Sequence, residues 1–427
     1  MTVFETLENG LSVYLKEIHT SPLISHWVWY RVGSRNEVPG KTGISHWVEH
    51  MQFKGTPRFP AGVLDRAISR DGGMWNAFTN TDWTAYFEVM PSDKIDMALE
   101  LEADRMNNSL FEADEVESER TVIISEMEGS ENEPLYRLGT AVQMAAFDRH
   151  PYRYEVIGEK QDLLSITRDD LYDHYSNNYS PDNALLCAAG DFDSREMLEK
   201  IRALYAPIAP AHRKAAPVEA EEPLAGERRV EISGAGGTTY LQLAYRAPAA
   251  SSDDFFSLTV LDSLLTGPSS LNMFGGGGIS NRTSRLYQAL VDRDFAVAVN
   301  GSLQATIDPY LYTVLVVVHP DRKVEDVLAE TDAQIAKVLD QRVNPDEIAR
   351  AIKQAKALFA YGTESITNQA FWLGYAEMFA RYDWFLHYID SLEKADPERV
   401  LQTARQYLDP ARRVVGIYRP VNEGGAA

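Results

Sequence analysis

The chain has 427 residues, of which 44% are hydrophobic and 24% charged, and its formal net charge is −22 at pH 7. A chain of this length predicts two domains of about 200 residues each. The negative charge argues against nucleic acid or an anionic membrane as a partner, because phosphate binding requires basic patches. The acidic excess either serves solubility or lines a cavity that favours basic peptides.

The sequence carries no visible targeting segment. No apolar run approaches the roughly 20 residues that span a bilayer, and the N-terminus has neither the basic nor the apolar region of a signal peptide. We expect a cytoplasmic protein without a membrane partner, and a periplasmic location stays open if a signal was removed. The lone cysteine, Cys187, excludes an intrachain disulfide and a cysteine-based zinc site.

Alternating apolar residues open the first half of the chain and predict strands over residues 11–17 and 23–34. A helix is predicted around residues 43–53, and a longer one over residues 92–108. Residues 72–87 predict a hairpin whose turn lies near Asn80.

The second half repeats this order of strand, strand and helix, at residues 228–233, 238–247 and 255–267. Such a repeat suggests an internal duplication. We predict an α+β fold of two duplicated domains, each a mostly antiparallel sheet with helices packed on one face.

The predicted domain boundary lies in a segment rich in alanine, proline and charge, which has no apolar period. The first domain is predicted to cover residues 1–205, the linker 206–227 and the second domain 228–427. The second-domain helix that parallels residues 43–53 contains no histidine. We therefore expect a metal site in the first domain only.

That metal site is predicted from the segment His46-Trp47-Val48-Glu49-His50. Histidines four residues apart lie about 6 Å from each other on one helical face, which suits a single tetrahedral ion. Glu49 is placed to reach a metal-bound water, and His-x-x-Glu-His is the inverse of the commoner zincin order. The third ligand is expected to be a carboxylate from another element. The alternative is a surface helix whose histidines merely face water.

Residues 43–56, GISHWVEHMQFKGT, resemble the active-site segment of the pitrilysin or insulinase-like zinc metallopeptidases, which include mitochondrial processing peptidase. Residues 119–127, ERTVIISEM, resemble a second segment of the family. This resemblance implies that Glu126 is the third zinc ligand and that Glu119 orients a ligand histidine through its other ring nitrogen. The alternative for Glu119 is a solvated acid on an acidic helix.

The resemblance covers essentially the whole chain and implies a zinc metalloendopeptidase with one Zn²⁺ per chain, in which Glu49 accepts the proton of a zinc-bound water. Residues 72–87 also resemble the family's Gly-Gly-x-x-Asn-Ala-x-Thr hairpin. That similarity implies that Asn76, Ala77 and Phe78 pair with the backbone of a peptide substrate. Without the resemblance, the segment is an ordinary edge hairpin.

The second half departs from the family pattern. Related enzymes supply an arginine and a tyrosine that bind substrate near the zinc. Arg285 fits the arginine, but Val297 stands at the tyrosine position and cannot donate a hydrogen bond. We therefore expect a heterodimer in which an unlike homologous subunit supplies the Arg/Tyr pair and completes a chamber, with a homodimer as the alternative. The glycine run 275–278 is interpreted as a flexible loop at that chamber.

A different class of function also fits this fold. A non-catalytic core or assembly subunit, like the core proteins of respiratory complexes, would share the architecture. Such subunits usually lose metal ligands, whereas this chain keeps His46, His50 and Glu126. The sequence therefore favours the peptidase, and zinc content is the observation that separates the two hypotheses.

Overall fold

The structure is a computed structural model that describes residues 2–212, 217–269, 271 and 280–421. The glycine run 275–278 lies outside the described residues. The strands are β1 Thr2–Thr6, β2 Ser12–Glu17, β3 Leu23–Tyr30, β4 Met74–Thr79, β5 Thr84–Pro91, β6 Ala184–Gly190, β7 Arg228–Gly234, β8 Tyr240–Arg246, β9 Ala296–Leu303, β10 Leu311–Val318 and β11 Arg413–Pro420.

The helices of the first half are α1 Ile44–Met51, α2 Val63–Arg70, α3 Ile95–Asn108, α4 Ala113–Ser130, α5 Pro134–Ala146, α6 Lys160–Ser165, α7 Arg168–Asn178 and α8 Ser194–Tyr205. Those of the second half are α9 Asp253–Leu265, α10 Val324–Asp340, α11 Pro345–Tyr361, α12 Ile366–Phe379, α13 Tyr382–Leu386, α14 Tyr388–Leu392 and α15 Pro397–Tyr407. None of the helices in the described ranges is long and apolar enough to cross a bilayer.

The chain forms two compact units that do not simply follow chain order. The first unit combines Met1–Met127, Tyr154–Val218 and Thr363–Tyr382. The second combines Glu128–Arg153, Glu219–Gly362 and Asp383–Ala427. Helix α12 therefore belongs to the first unit although it lies late in the chain, and α5 belongs to the second unit although it lies early.

Each unit is built on one sheet, and the two sheets share a connection pattern. The first sheet has the order β1-β2-β6-β3-β5-β4, and the second has the order β7-β11-β8-β10-β9. The β2–β6 and β7–β11 pairs are parallel, and the remaining pairs in both sheets are antiparallel. The predicted α+β class with a duplicated, mostly antiparallel plan is confirmed.

In the first unit, helices cover both faces of the sheet, which adds a layer to the predicted plan. Side chains alternate between the faces of a strand. Along β3, Val28 and Tyr30 join the core that contains α1 and α3. The rings of Trp27 and Trp29 point the other way and contact Phe371 of α12, with centroids 5.6 and 5.5 Å apart.

The close approach of α12 depends on a residue without a side chain. A Cβ atom at Gly374 would lie 2.0 Å from Nε1 of Trp29. Because a contact this short is not tolerated, any larger residue would push α12 away from the sheet. Gly374 thus lets α12 pack closely against the tryptophan face, the face of the first sheet that carries Trp27 and Trp29.

Helix α1 is held firmly against the other face of the first sheet. Its residues Trp47, Val48 and Met51 are fully buried. At its start, the carboxylate of Glu37 accepts hydrogen bonds from the backbone N–H groups of Gly43 and Ser45, both at 2.8 Å. These two donors belong to the first turn, which has no intrahelical acceptor for them. The helix that carries the predicted metal motif is therefore anchored by both its packing and its cap.

Candidate metal site

The predicted metal motif lies on one face of α1. Trp47 and Val48 face the core, so the helical period turns His46 and His50 together toward the outside of the sheet layer. The centroids of the two imidazole rings lie 4.5 Å apart. Both side chains stay partly accessible, which leaves room for a ligand beside them.

A third side chain that could bind the metal comes from α4. Oε1 of Glu126 lies 3.9 Å from Nε2 of His46, and its Oε2 lies 3.6 Å from Nε2 of His50. One donor atom from each of the three residues lies within 4.8 Å of the others. Tetrahedral zinc with bonds of about 2.0–2.2 Å places its ligand atoms roughly 3.3–3.6 Å apart. Two imidazoles and one carboxylate at this spacing fit zinc with only small adjustments.

Glu119 lies where the resemblance implies a supporting carboxylate. Its Oε1 is 2.8 Å from Nδ1 of His50, the ring nitrogen that faces away from Glu126. Lys54 forms an ion pair with the other oxygen of Glu119. Burial acts to raise the pKa of Glu119, but the hydrogen bonds from His50 and Lys54 outweigh it and lower the pKa. An ionised Glu119 fixes the orientation of the His50 ring and leaves Nε2 for the metal.

The surroundings of the two histidines shift their pKa values in opposite directions. Burial, together with the nearby His50, lowers the pKa of His46 to about 3, so this imidazole is neutral at pH 7. Burial also acts to lower the pKa of His50, but the hydrogen bond to Glu119 and the nearby carboxylates raise it overall. A bound cation would compete with a proton for Nε2 of His50.

Glu49 lies next to the ligand set without being part of it. The residue is only 8% exposed, and the hydroxyl of Thr79 donates a hydrogen bond of 2.6 Å to its Oε2. Burial raises the pKa of Glu49, and the Thr79 hydrogen bond opposes that rise. A carboxylate with a raised pKa is suited to accept and return a proton.

The residues predicted to bind substrate lie in β4, at an edge of the first sheet. Within the described ranges, β4 is hydrogen-bonded to β5 and to no other strand. Asn76 is exposed, Ala77 is buried and Phe78 is half-buried, with its ring stacked on Phe87 at 6.0 Å. An edge strand has unpaired backbone groups that can pair with an extended peptide.

Arg285 and Val297 belong to the second unit. A nitrogen of the Arg285 guanidinium lies 2.7 Å from a carboxylate oxygen of Glu347, so the structure shows this arginine in an ion pair. Val297 lies in the edge strand β9 and is 56% exposed. Its side chain is available at the surface of that unit but carries no hydrogen-bond donor.

The fold and the site together define a class of protein. A helix with His-x-x-Glu-His and a glutamate from a second helix match the donor set of an inverted zincin. Residues 12–160 match the family described as Insulinase (Peptidase family M16), and residues 165–355 match the family's domain described as Peptidase M16 inactive domain. The chain belongs to this pitrilysin-like peptidase family.

Individual relatives support the same placement. Zinc protease PqqE of Helicobacter pylori is 29% identical over 98% of this chain and 89% of the relative. A probable mitochondrial-processing peptidase subunit beta of Arabidopsis thaliana is 28% identical over 88% of this chain and 72% of the relative. A solved structure of a protease from Helicobacter pylori superposes with a TM-score of 0.90 at 26% identity, covering 98% of this chain and 99% of that one.

Three residues near the site were not predicted from the sequence. Lys54 pairs with Glu119, Glu37 caps α1, and Thr79 bonds to Glu49. Thr79 and Lys54 each lay in a segment that resembles the family, Thr79 as the threonine of the Gly-Gly-x-x-Asn-Ala-x-Thr pattern at residues 72–79 and Lys54 within residues 43–56. Nothing in the local sequence around Glu37 distinguishes it from a surface charge.

Proposed function

We propose that this protein is a zinc-dependent endopeptidase that hydrolyses peptides or unfolded polypeptides. The observation that carries the proposal is the convergence of His46, His50 and Glu126, whose donor atoms lie within 4.8 Å of one another. Beside them stands a buried carboxylate, Glu49, and α1 packs against the edge strand β4. The first unit thus brings together three residues that could hold a metal ion, a buried carboxylate and an unpaired strand edge.

The chemistry follows from the position of each group. When bound, zinc would polarise a water molecule and the scissile carbonyl. Glu49 takes a proton from the attacking water and later passes it to the leaving amine, which regenerates the carboxylate. The edge of β4 holds the peptide extended through backbone hydrogen bonds, so specificity depends little on any single side chain. No nucleophilic serine or cysteine is required.

The test combines metal content with turnover. The purified chain should contain one zinc per chain and cleave an unfolded polypeptide, and a chelator should abolish cleavage. Glu49→Gln should retain the zinc and lose about 10²–10⁴-fold in turnover, the usual contribution of a general base. A chain that takes up no zinc would overturn the proposal in favour of the non-catalytic assembly subunit.

We further propose that the chain is the catalytic subunit of a heterodimer and works in a chamber formed by two subunits. The proposal is supported by Val297, an exposed residue of β9 at the position where the family resemblance implies a tyrosine donor. A missing oxyanion donor costs about 10²–10³ in turnover, so the isolated chain should be slow rather than inactive. Adding the homologous partner subunit should restore at least that factor. Equal activity of the single chain and the mixture would favour the homodimer.

A further inference from the structure

The carboxylate of Glu49, the proposed catalytic base, accepts a hydrogen bond from a hydroxyl of the predicted substrate strand. Thr79 is the last residue of β4, and its Oγ1 donates to Oε2 of Glu49 at 2.6 Å. Hydrogen bonds to an ionised acceptor are shorter and stronger than neutral ones. Thr79 lies 30 residues from Glu49 in the sequence, so the bond joins two separate elements, α1 and β4.

The surroundings of Thr79 commit its single proton to Glu49. Thr79 is paired with Thr84 across the hairpin. The Thr84 hydroxyl donates at 2.9 Å to the carbonyl of Val32, and it lies 3.5 Å from Oγ1 of Thr79. A threonine hydroxyl has only one hydrogen to donate. The Thr84 oxygen, at 3.5 Å, is too distant to be a good acceptor, whereas the Glu49 carboxylate oxygen lies at 2.6 Å, so the Thr79 proton points to the carboxylate.

This bond distinguishes the two oxygens of Glu49. Oε2 is held by Thr79, whereas no hydrogen bond from the described part of the chain reaches Oε1. One oxygen is therefore anchored and the other is left to exchange a proton. A general base is effective only if it stays within hydrogen-bond reach of the proton that it abstracts.

We propose that Thr79 is a positioning residue that fixes Glu49 for catalysis and links the base to the strand on which the peptide lies. This inference rests on the proposed peptidase function. Ordering of β4 by a bound peptide would also order the Thr79 hydroxyl, so substrate binding and the orientation of the base share one element. Misplacement of a reacting group by about 1 Å costs on the order of 10²-fold in rate.

The test is Thr79→Val, which keeps the shape and removes the hydroxyl, compared with Thr79→Ser, which keeps the hydroxyl. Thr79→Val should lower kcat about 10–100-fold with KM unchanged, and Thr79→Ser should stay within a few-fold of wild type. The matched control is Thr81→Val in the same turn, because the Thr81 hydroxyl bonds to the Asn80 side chain and not to Glu49. If Thr79→Val does not fold, Thr79→Ala provides the same comparison.

Two further measurements separate positioning from a merely structural role. Zinc content should be equal in all variants. Peptide affinity, measured in the non-cleaving Glu49→Gln background, should be equal with and without Thr79→Val. Unchanged kcat, weaker peptide binding or lost zinc in Thr79→Val would overturn the inference while leaving the peptidase proposal intact. If the zinc-loaded wild type cleaves no peptide, the peptidase proposal fails and this inference fails with it.

Discussion

Helices α1 and α9 occupy equivalent places in two sheets of the same connectivity, yet their carboxylates have different surroundings. In the first unit, α1 packs against the edge strand β4, and in the second, α9 packs against the edge strand β9. Glu49 of α1 accepts a hydrogen bond from the strand through Oε2, and no donor among the residues that the structure describes reaches its other oxygen. Asp262 of α9 is 1% exposed, and its two oxygens accept hydroxyls of Thr266 and Ser269, each at 2.6 Å.

The edge strands also differ in the residue that lies against the carboxylate. In β4, Thr79 donates its hydroxyl to Glu49. In β9, Gly301 has no side chain, and a Cβ atom there would lie 2.0 Å from Oδ1 of Asp262. The second unit thus closes its backbone over an internally satisfied carboxylate, whereas the first unit keeps the imidazoles of His46 and His50 partly accessible beside the buried Glu49. A shared sheet connectivity therefore does not by itself determine the chemistry of a unit. A few side chains decide whether the contact between the helix and the edge strand is purely structural or carries a candidate metal site.

The strongest test of this contrast removes a ligand from α1 or α4. His50→Ala and Glu126→Gln should each weaken zinc binding by more than the roughly 10–100-fold typical of supporting residues, and turnover should disappear with the metal. Zinc per chain and competition with a chelator measure the effect. Glu128→Gln is the matched control, an exposed glutamate on the same helix. Full zinc occupancy in His50→Ala would show that His50 is not a zinc ligand.

A smaller effect is expected from the residue that supports His50. Glu119→Gln should reduce zinc affinity about 10–100-fold, because the His50 ring loses the carboxylate that orients it and increases its basicity. Zinc titration against a chelator of known affinity measures the change. Glu117→Gln serves as the control, since Glu117 is exposed and bonds to Arg120. An identical zinc affinity in Glu119→Gln and wild type would show that Glu119 does not support the metal site and acts only through its ion pair with Lys54.

The smallest effect on the metal is expected in the second unit. Asp262→Ala should leave zinc affinity unchanged but lower the free energy of unfolding by about 1–3 kcal/mol, because buried hydroxyls lose their acceptor. Denaturant unfolding and zinc titration on the same protein measure both quantities. Asp292→Ala, at an exposed position of that unit, should change neither. A loss of zinc in Asp262→Ala would show that the two helices are not independent.

Local periodicity in the sequence predicts some of the secondary structure and part of the candidate metal site. The spacing of His46, Glu49 and His50 predicts a common helical face, since residues four apart are neighbours on any α-helix. The order of apolar periodic segments in the two halves predicted the strand-strand-helix repeat, and the shared sheet connectivity confirms it. Glu126 and Glu119 came from resemblance to a family, because no spacing rule links α4 to α1.

The contacts between segments that are distant in the sequence follow from long-range packing and not from any local pattern. Helix α12 covers the tryptophan face of the first sheet, and α5 packs in the second unit, although each lies among elements of the other half in sequence. The bond from Thr79 to Glu49 and the cap that Glu37 provides to α1 depend on the same long-range packing. Helical and strand periods encode which side of an element is buried, but not which element covers it. That choice is made by the complementary shapes of the buried faces, such as Gly374 against Trp29, once the whole chain has folded.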